Sequence, residues 1–367
     1  MAPVATPDST GPSDDGAAGS DAGATRAGEV VRVAAERPDA AVVGRAGRLL
    51  ADGGLVAFPT ETVYGLGAHA FDVEAVHAVF RGKGRPATDP LIVHVADTAL
   101  VTEVVSQFPP AAAELAARFW PGPLTMVLPR TAAVPDAITA GRDTVAVRVP
   151  AHPVTLAVLR AAGVPVAAPS ANRFGRVSPT TADHVISELH GVYDLLLDAG
   201  PTPLGVESTV IDLTGPVPVL LRPGGVTLEQ LRATLGPVDY EERAATDEAD
   251  DASAPGQFLR HYAPTTPMIL VDGPPGAVDD LAHALRAKQV TVGIIMSPVD
   301  PADAAHRLYG SLRNADAEGA QLLLTSTVDP AGMGRAVNDR LFRAAQGRSV
   351  TDAATATVDR ILALLSG

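Results

Sequence analysis

Cysteine is absent from this chain of 367 residues, and lysine occurs only at Lys83 and Lys288. The absence of cysteine excludes disulfides, thiolate metal ligands and cysteine nucleophiles, and it is compatible with a reducing cytoplasm. No apolar run reaches the roughly 18 residues that span a membrane, and the N-terminus lacks a basic segment followed by an apolar one. We therefore expect a cytoplasmic protein that makes no contact with membranes.

Several nucleotide-binding and hydrolytic motifs are also missing from the sequence. There is no GxxxxGK[ST] loop, no GxGxxG after a strand, no HExxH and no GxSxG. Any nucleotide site must therefore be built from separate strand ends. The formal net charge of -14 argues against a broad, sequence-independent grip on nucleic acid, although it leaves room for a small basic site.

One such basic site is indicated by the segment from Lys83 to His94, KGRPATDPLIVH, which places two cations and an imidazole beside an apolar strand. Lys83 offers a compact ammonium and Arg85 a planar fork, and this pairing suits a polyphosphate. The alternative interpretation is a solvated basic turn that follows a helix. The segment alone favours neither interpretation.

A second polar segment, Pro59 to Gly67, directly follows an apolar strand predicted at Leu55 to Phe58. Its hydroxyl and carboxylate side chains are Thr60, Thr62, Tyr64 and Glu61. The segment is expected to end in a glycine-flanked turn at Gly65 to Gly67. Strand ends in α/β sheets are common ligand sites, whereas the alternative is a polar loop whose hydroxyls bond to their own backbone.

Arg148 lies among apolar neighbours in a strand predicted at Thr144 to Pro150. A buried arginine needs an anionic partner, which is either a structural carboxylate or the carboxylate or phosphate of a ligand.

Another apolar strand, Pro165 to Ser170, opens into PSANRFGRVSPTT. The small side chains there allow a ligand to approach the backbone, and Ser170, Asn172 and Ser178 supply neutral hydrogen-bonding groups. The alternative is a serine-rich turn that caps the helix predicted near Thr181.

The pattern of composition divides the chain into four parts. We expect a disordered tail at 1–28, a first α/β domain at 29–236, a linker at 237–264 and a second, smaller α/β domain at 265–367. In the second domain, predicted strands alternate with predicted helices, which indicates a parallel sheet. These strands are Met268–Val271, Val290–Met296 and Gln321–Leu324, and the helices lie near 276–287, 301–314 and 334–346.

Eight segments in order resemble the Sua5/YrdC family, the L-threonylcarbamoyladenylate synthases of tRNA modification. They are PTETVYGLG, KGRPATDPLIVH, WPGPLT, DTVAVRVP, PSANRFGRVSPT, GVESTVID, LLRPGG and RHYAP. The resemblance covers about residues 40 to 264, and the extra C-terminal domain resembles the long Sua5 form. It implies a YrdC-like twisted open mixed sheet with helices, joined by the linker to a small Rossmann-like α/β domain.

The resemblance also implies a nucleotidyltransferase reaction, in which ATP, L-threonine and bicarbonate give threonylcarbamoyl-AMP, pyrophosphate and water. Mg²⁺ would accompany ATP, and no metal site of the chain itself is implied. The product would pass to a tRNA threonylcarbamoyl transferase complex that makes t6A in ANN-decoding tRNAs, with weak or no direct tRNA binding by this chain. The alternative function is a non-catalytic module that binds double-stranded RNA or tRNA.

The resemblance assigns roles to residues by motif position, and Lys83 and Arg85 would be catalytic. Residues expected to bind ATP are Lys83, Arg85, Asp89, Thr144, Ser170, Asn172, Ser178, Arg222 and Tyr262. Residues expected to bind threonine are Thr62, His94, Arg148, Ala168 through its backbone, and Ser208. Arg148 would pair with the substrate carboxylate.

Two departures from the family pattern concern this site. Asp89 stands where the family often has asparagine, so its ATP contact would be through backbone, water or magnesium. The linker has Phe258 and Leu259 where the family usually has a Lys-Tyr pair, but His261 and Tyr262 are retained. We expect the linker to act as a lid that excludes water from the mixed anhydride.

Overall fold

The structure is a computed structural model that describes Met1 and residues 28–241, 258–259, 261–295 and 300–366. Residues 2–27 of the predicted tail lie outside the described residues. The same holds for residues 242–257 of the predicted linker and for Arg260.

The larger sheet of the described residues has ten strands, in the order β1-β8-β2-β3-β7-β4-β6-β5-β9-β10. Their bounds are β1 Glu29–Arg32, β2 Val56–Phe58, β3 Gly65–His69, β4 Ile92–His94, β5 Leu124–Pro129, β6 Thr144–Arg148, β7 Val166–Ala167, β8 Leu195–Asp198, β9 Thr209–Asp212 and β10 Val219–Arg222. Parallel pairs such as β4 with β6 alternate with antiparallel pairs such as β5 with β6. The expected open mixed sheet is confirmed.

Eight helices accompany this sheet among the described residues. They are α1 Ala40–Ala51, α2 Val73–Lys83, α3 Val101–Val104, α4 Pro110–Phe119, α5 Asp136–Thr139, α6 Pro153–Ala162, α7 Ala182–Leu189 and α8 Leu228–Leu235. The ends of α2 show why Lys83 lies where it does. The side chain of Asp72 accepts hydrogen bonds from the first turn, and Gly84 ends the helix with a φ of 64°, a left-handed conformation that favours glycine.

One prediction for the first sheet needs correction. Gly65 to Gly67 was expected to end a turn, but it begins β3, which pairs antiparallel with β2. Glycine is required there by packing rather than by turning, because a Cβ on Gly67 would lie 2.5 Å from Cε1 of Phe58. The polar residues 59–64 therefore form the tip of a β2–β3 hairpin.

The smaller sheet has four strands in the order β12-β13-β11-β14, and every pair is parallel. The strands are β11 Met268–Val271, β12 Val292–Ile295, β13 Leu322–Ser326 and β14 Ser349–Val350. The helices are α9 Ala277–Arg286, α10 Pro301–Ala317, α11 Gly334–Ala344 and α12 Thr355–Ser366. The predicted parallel sheet is confirmed, and β14 and α12 are additional elements that the sequence pattern did not predict.

The two sheets are joined through a shared apolar core. Val63 and Val206, from loops of the first sheet, belong to the same buried cluster as Met268 of β11 and Leu341 of α11. Burying these side chains together holds the second sheet against the loops of the first. The expected boundaries at residues 236 and 264 stay predictions.

Membrane-spanning helices were not expected. Among the described ranges, no helix combines the length and the apolar character needed to cross a bilayer.

Candidate active site

A cavity lies where loops of the larger sheet meet the end of the linker, and its volume of about 540 Å³ includes space open to solvent. Its lining includes nine of the residues expected to bind substrates: Thr62, Arg85, His94, Arg148, Ala168, Ser170, Ser208, Arg222 and Tyr262. All five residues expected to bind threonine are in this set. The chain therefore brings together side chains from seven separate sequence segments around one space.

Arg148 is the cation at the end of β6, and it is only 4% exposed. Its Nη2 donates to Oε1 of Glu61 at 2.6 Å, and its Nη1 donates to Oγ1 of Thr62 at 3.1 Å. Nε donates to the carbonyl of Gly122 at 3.2 Å. A structural carboxylate is therefore present, yet the guanidinium also lines the cavity, so both interpretations of Arg148 describe part of its surroundings.

His94 pairs with Arg148 in the register of β4 and β6, and both side chains line the cavity. Burial, reinforced by the charge of Arg148, lowers the pKa of His94 to about 3. The imidazole is consequently neutral at physiological pH. Its Nδ1 is buried and has no hydrogen-bond partner among the described residues.

The lowered pKa of His94 predicts an acid-dependent loss of stability. The unfolded chain protonates this imidazole near pH 6.5, whereas the folded chain does so only near pH 3, so acidification favours unfolding. Between pH 7.5 and 5 we expect His94 to remove about 2 kcal/mol from the free energy of unfolding. Urea titrations at both pH values measure the loss, which should be smaller by about this amount in His94→Gln. An equal loss in both proteins would contradict the prediction.

Arg85 and Asp89 form a buried ion pair, in which Nη2 of Arg85 lies 2.9 Å from Oδ1 of Asp89. Arg85 also donates to the carbonyls of Asp89 at 3.1 Å and Pro90 at 2.6 Å. Burial raises the pKa of the Asp89 carboxyl, against the opposing effect of Arg85. Asp89 is fully buried and is not a lining residue, so the structure places it as the partner that orients Arg85.

Lys83 is also buried, with 2% exposure, so the alternative of a solvated basic turn is wrong. Its Nζ donates to the carbonyl of Ser170 at 2.5 Å and to the carbonyl of Asn172. Burial, followed by the charge of Arg85, lowers its pKa well below the ordinary value. Lys83 is not a lining residue, and it ties the end of α2 to the PSAN segment.

Of the two hydrogen-bonding residues in the PSAN segment, Ser170 lines the cavity and Asn172 does not. Nδ2 of Asn172 donates to the carbonyls of Arg173 at 2.7 Å and Arg176 at 2.9 Å. Oδ1 of Asn172 has no partner among the described residues. Capping of α7 is done by Thr181, so the serines do not serve as its cap.

Ser208 and Arg222 both line the cavity, and their side chains are hydrogen-bonded to each other. Nη2 of Arg222 donates to Oγ of Ser208 at 3.1 Å and to its carbonyl at 3.0 Å, and Oγ1 of Thr125 lies 2.8 Å from Oγ of Ser208. Gly224 permits this arrangement, because a Cβ there would lie 2.4 Å from the carbonyl oxygen of Glu207.

Thr144 lies at the other end of β6 from the lining residue Arg148. It begins β6 and Arg148 ends it, which separates their Cα atoms by about 13 Å at the usual rise of a strand. Thr144 does not line the cavity. Its predicted contact with ATP stays a prediction.

Sequence reasoning did not assign a role to Glu207, which lines the cavity with 6% exposure. Its Oε1 accepts from Oγ of Ser178 at 2.6 Å, and its Oε2 accepts from the hydroxyl of Tyr309 at 2.6 Å and from Nε of Arg340 at 2.9 Å. Burial would raise the pKa of Glu207, but the charges of Arg340 and Arg222 and these hydrogen bonds outweigh it and lower the pKa. In the sequence, only its position within the GVESTVID motif pointed to a role for Glu207.

The end of the linker forms one wall of the cavity. His261 and Tyr262 both line it, and their ring centroids are 4.0 Å apart. The ring of Phe258 packs edge-on against Phe174, with 6.0 Å between centroids. Phe258 therefore gives the linker of this chain an aromatic contact with the segment that follows Asn172.

Three buried polar atoms in this lining have no hydrogen-bond partner among the described residues: Nδ1 of His94, Nδ1 of His261 and the hydroxyl of Tyr262. Buried polar groups are nearly always paired, because an unpaired one costs about 1–3 kcal/mol. Because all three belong to residues that line one cavity, a polar ligand bound there would supply the missing partners.

The fold and the cavity define a two-domain α/β protein with an enclosed cationic site. The family model described as "Telomere recombination" (Sua5_yciO_yrdC) matches residues 48–224, and the model described as "Threonylcarbamoyl-AMP synthase, C-terminal domain" matches residues 226–346. The chain belongs to the Sua5/YrdC family, in its long form with a C-terminal domain.

Individual relatives cover most of the chain. Over 314 residues, the chain is 44% identical to the threonylcarbamoyl-AMP synthase of Pyrococcus abyssi (strain GE5 / Orsay). The matched region covers 82% of this chain and 92% of that protein. Over 326 residues, the chain is 40% identical to the Bacillus subtilis (strain 168) protein of the same name. This match covers 84% of the present chain and 94% of the B. subtilis protein. The crystal structure of P. abyssi Sua5 complexed with L-threonine superposes with a TM-score of 0.84 at 41% identity, covering 88% of this chain and 99% of that one.

Proposed function

We propose that this chain is an L-threonylcarbamoyladenylate synthase that converts ATP, L-threonine and bicarbonate into threonylcarbamoyl-AMP, pyrophosphate and water. The observation that carries the proposal is the cavity itself, in which Arg148, His94 and Ser208 lie beside Arg85 and Arg222. The relatives at 40% and 44% identity carry the same activity in their names.

Threonine fits the part of the cavity around Arg148. Its carboxylate would pair with the guanidinium of Arg148, which now binds the carboxylate of Glu61. The neutral imidazole of His94 and the hydroxyl of Ser208 would bind the threonine hydroxyl. The P. abyssi Sua5 structure, whose printed description includes L-threonine, supports this choice of amino acid.

The nucleotide would occupy the part of the cavity around Arg85, Ser170, Arg222 and Tyr262. Two guanidinium groups there can stabilise the negative charge that develops on the leaving pyrophosphate. Mg²⁺ would enter as part of the substrate, bound to the phosphates of ATP.

The reaction requires positioning rather than covalent catalysis by the protein. The threonine amine combines with carbon dioxide from bicarbonate and releases a proton, which gives a carbamate. A carbamate oxygen then attacks the α-phosphorus of ATP, the bond from that phosphorus to the bridging oxygen breaks, and pyrophosphate leaves. A wall formed by His261 and Tyr262 would keep water from the mixed anhydride.

We also propose that the product passes to a tRNA threonylcarbamoyl transferase complex in the cytoplasm. Direct binding of tRNA by this chain would be weak or absent. Arg85, Arg148 and Arg222 are 8%, 4% and 4% exposed, so they face the cavity and are not available to the phosphate backbone of an RNA helix. This burial favours the enzyme over the alternative RNA-binding module.

Release of pyrophosphate from ATP tests the proposed function, and we expect it to require both threonine and bicarbonate. Valine matches threonine in shape but lacks its hydroxyl, so it would leave the buried Nδ1 of His94 without a partner. We expect valine to support a rate about 100-fold lower than threonine, since an unpaired buried polar group costs about 1–3 kcal/mol. Equal rates with valine and threonine would show that the amino acid binds elsewhere.

A further inference from the structure

The most unusual feature outside the predicted site residues is a buried arginine in the second domain. Arg340 of α11 is 0% exposed and lies among the largest fully buried side chains of the described residues. A buried cation of this kind is costly unless it is fully paired. Its partners therefore indicate what the arginine is for.

Arg340 binds two loops of the first domain and one carboxylate of its own helix. Nε donates to Oε2 of Glu207 at 2.9 Å, Nη2 donates to the carbonyl of Pro223 at 3.0 Å, and Nη1 donates to Oδ2 of Asp339 at 2.6 Å. Glu207 lines the cavity, and Pro223 directly follows the lining residue Arg222. One side chain of the second domain thus fixes two segments of the cavity wall.

The same arginine also holds the end of the linker. Its Cζ lies 5.1 Å from the centroid of the Tyr262 ring, which is a cation–π distance. The ring of Tyr262 also stacks on Tyr309 of α10, with 5.8 Å between centroids and an interplanar angle of 28°. Tyr262 has a φ of 59°, a left-handed conformation that a non-glycine residue keeps only when its surroundings enforce it.

We propose that Arg340 and Tyr309 are positioning residues through which the second domain sets the nucleotide half of the cavity. This inference rests on the proposed function for the identity of the nucleotide. The two residues act through Glu207 and Tyr262, and through the segment that contains Arg222.

These contacts reach mainly residues expected to bind ATP. Ser178, Arg222 and Tyr262 each contact Glu207 or Arg340 or directly precede a residue that does. Of the residues expected to bind threonine, Ser208 directly follows Glu207, whereas no hydrogen bond, ion pair or ring contact joins Arg340 or Tyr309 to Thr62, His94 or Arg148 within the described part of the chain. Loss of Arg340 should therefore affect ATP more than threonine.

The test compares Arg340→Met with Arg335→Met in the full-length chain. Arg335 lies on the same helix and also binds a glutamate of the first domain, Glu229, at 2.9 Å, but this pair is partly exposed and neither residue lines the cavity. Calorimetric titration measures the dissociation constants for ATP and for threonine. We expect the ATP constant to rise at least about tenfold in Arg340→Met, as for loss of a charged hydrogen bond, and less than about twofold in Arg335→Met.

A third variant, Tyr309→Phe, removes one hydroxyl and keeps the ring that stacks on Tyr262. We expect a smaller rise in the ATP constant, and this variant decides the question if Arg340→Met does not fold. Equal ATP constants in Arg340→Met and Arg335→Met, or equal losses of ATP and threonine affinity, would overturn the inference. A wild-type chain that binds ATP but releases no pyrophosphate would overturn the proposed function alone.

Discussion

Replacing Arg85 with methionine should lower the rate constant for pyrophosphate release by about 100- to 1,000-fold, the usual effect of removing one group that stabilises transition-state charge. Arg85 lines the cavity, and its guanidinium is fixed by Asp89 and by the carbonyl of Pro90. Such an anchored cation can stabilise the leaving pyrophosphate without rearrangement. Single-turnover measurement of pyrophosphate release reports the rate of the chemical step.

A second variant separates this catalytic effect from a loss of stability. Arg85→Met leaves the Asp89 carboxylate buried without its cation, which should destabilise the fold by about 3–5 kcal/mol. The double variant Arg85→Met, Asp89→Asn removes the stranded charge and should recover most of the free energy of unfolding without recovering the rate. Recovery of both would show that Arg85 acts on folding and not on phosphate.

Replacing Arg148 with methionine should raise the KM for threonine by about 10- to 100-fold, because a charged hydrogen-bonded pair contributes about 1.5–3 kcal/mol and the carboxylate would lose its cation. The KM for ATP should change little, since Arg148 donates to Glu61, Thr62 and Gly122 and to no predicted nucleotide contact. Steady-state titration of each substrate at a saturating concentration of the other measures both values.

Arg148→Lys is the matched control, because it keeps the charge but loses the planar fork. Its KM for threonine should lie between those of the wild type and Arg148→Met. Parallel increases in the KM for ATP and for threonine would remove Arg148 from the threonine site.

Secondary structure followed from local patterns where those patterns were strong. The strand predicted at Leu55 to Phe58 is observed at Val56–Phe58, and the strand Met268–Val271 has the predicted bounds. The strand β3 was missed because its sequence, GLGAH, contains glycines that also suit a turn. What decides between the two is the ring of Phe58 packed against Gly67, which is a contact across the hairpin.

The lining of the cavity was more predictable for the residues expected to bind threonine than for those expected to bind ATP. All five expected threonine residues line the cavity, whereas Lys83 donates to carbonyls and Ser178 donates to Glu207. The family motifs identify these residues but do not indicate which of them face the ligand. Arg340 and Tyr309 could not be predicted, because Glu207, the partner that they share at the cavity, lies more than 100 residues away from each of them in the chain.

Incubating the chain with ATP, L-threonine and ¹³C-labelled bicarbonate, followed by mass spectrometry of the adenylates, tests the proposed reaction most directly. We expect threonylcarbamoyl-AMP that carries one labelled carbon, formed in equal amount to pyrophosphate and absent when threonine is omitted. An adenylate that contains threonine but no labelled carbon, or no adenylate at all from a folded chain that binds ATP, would contradict it.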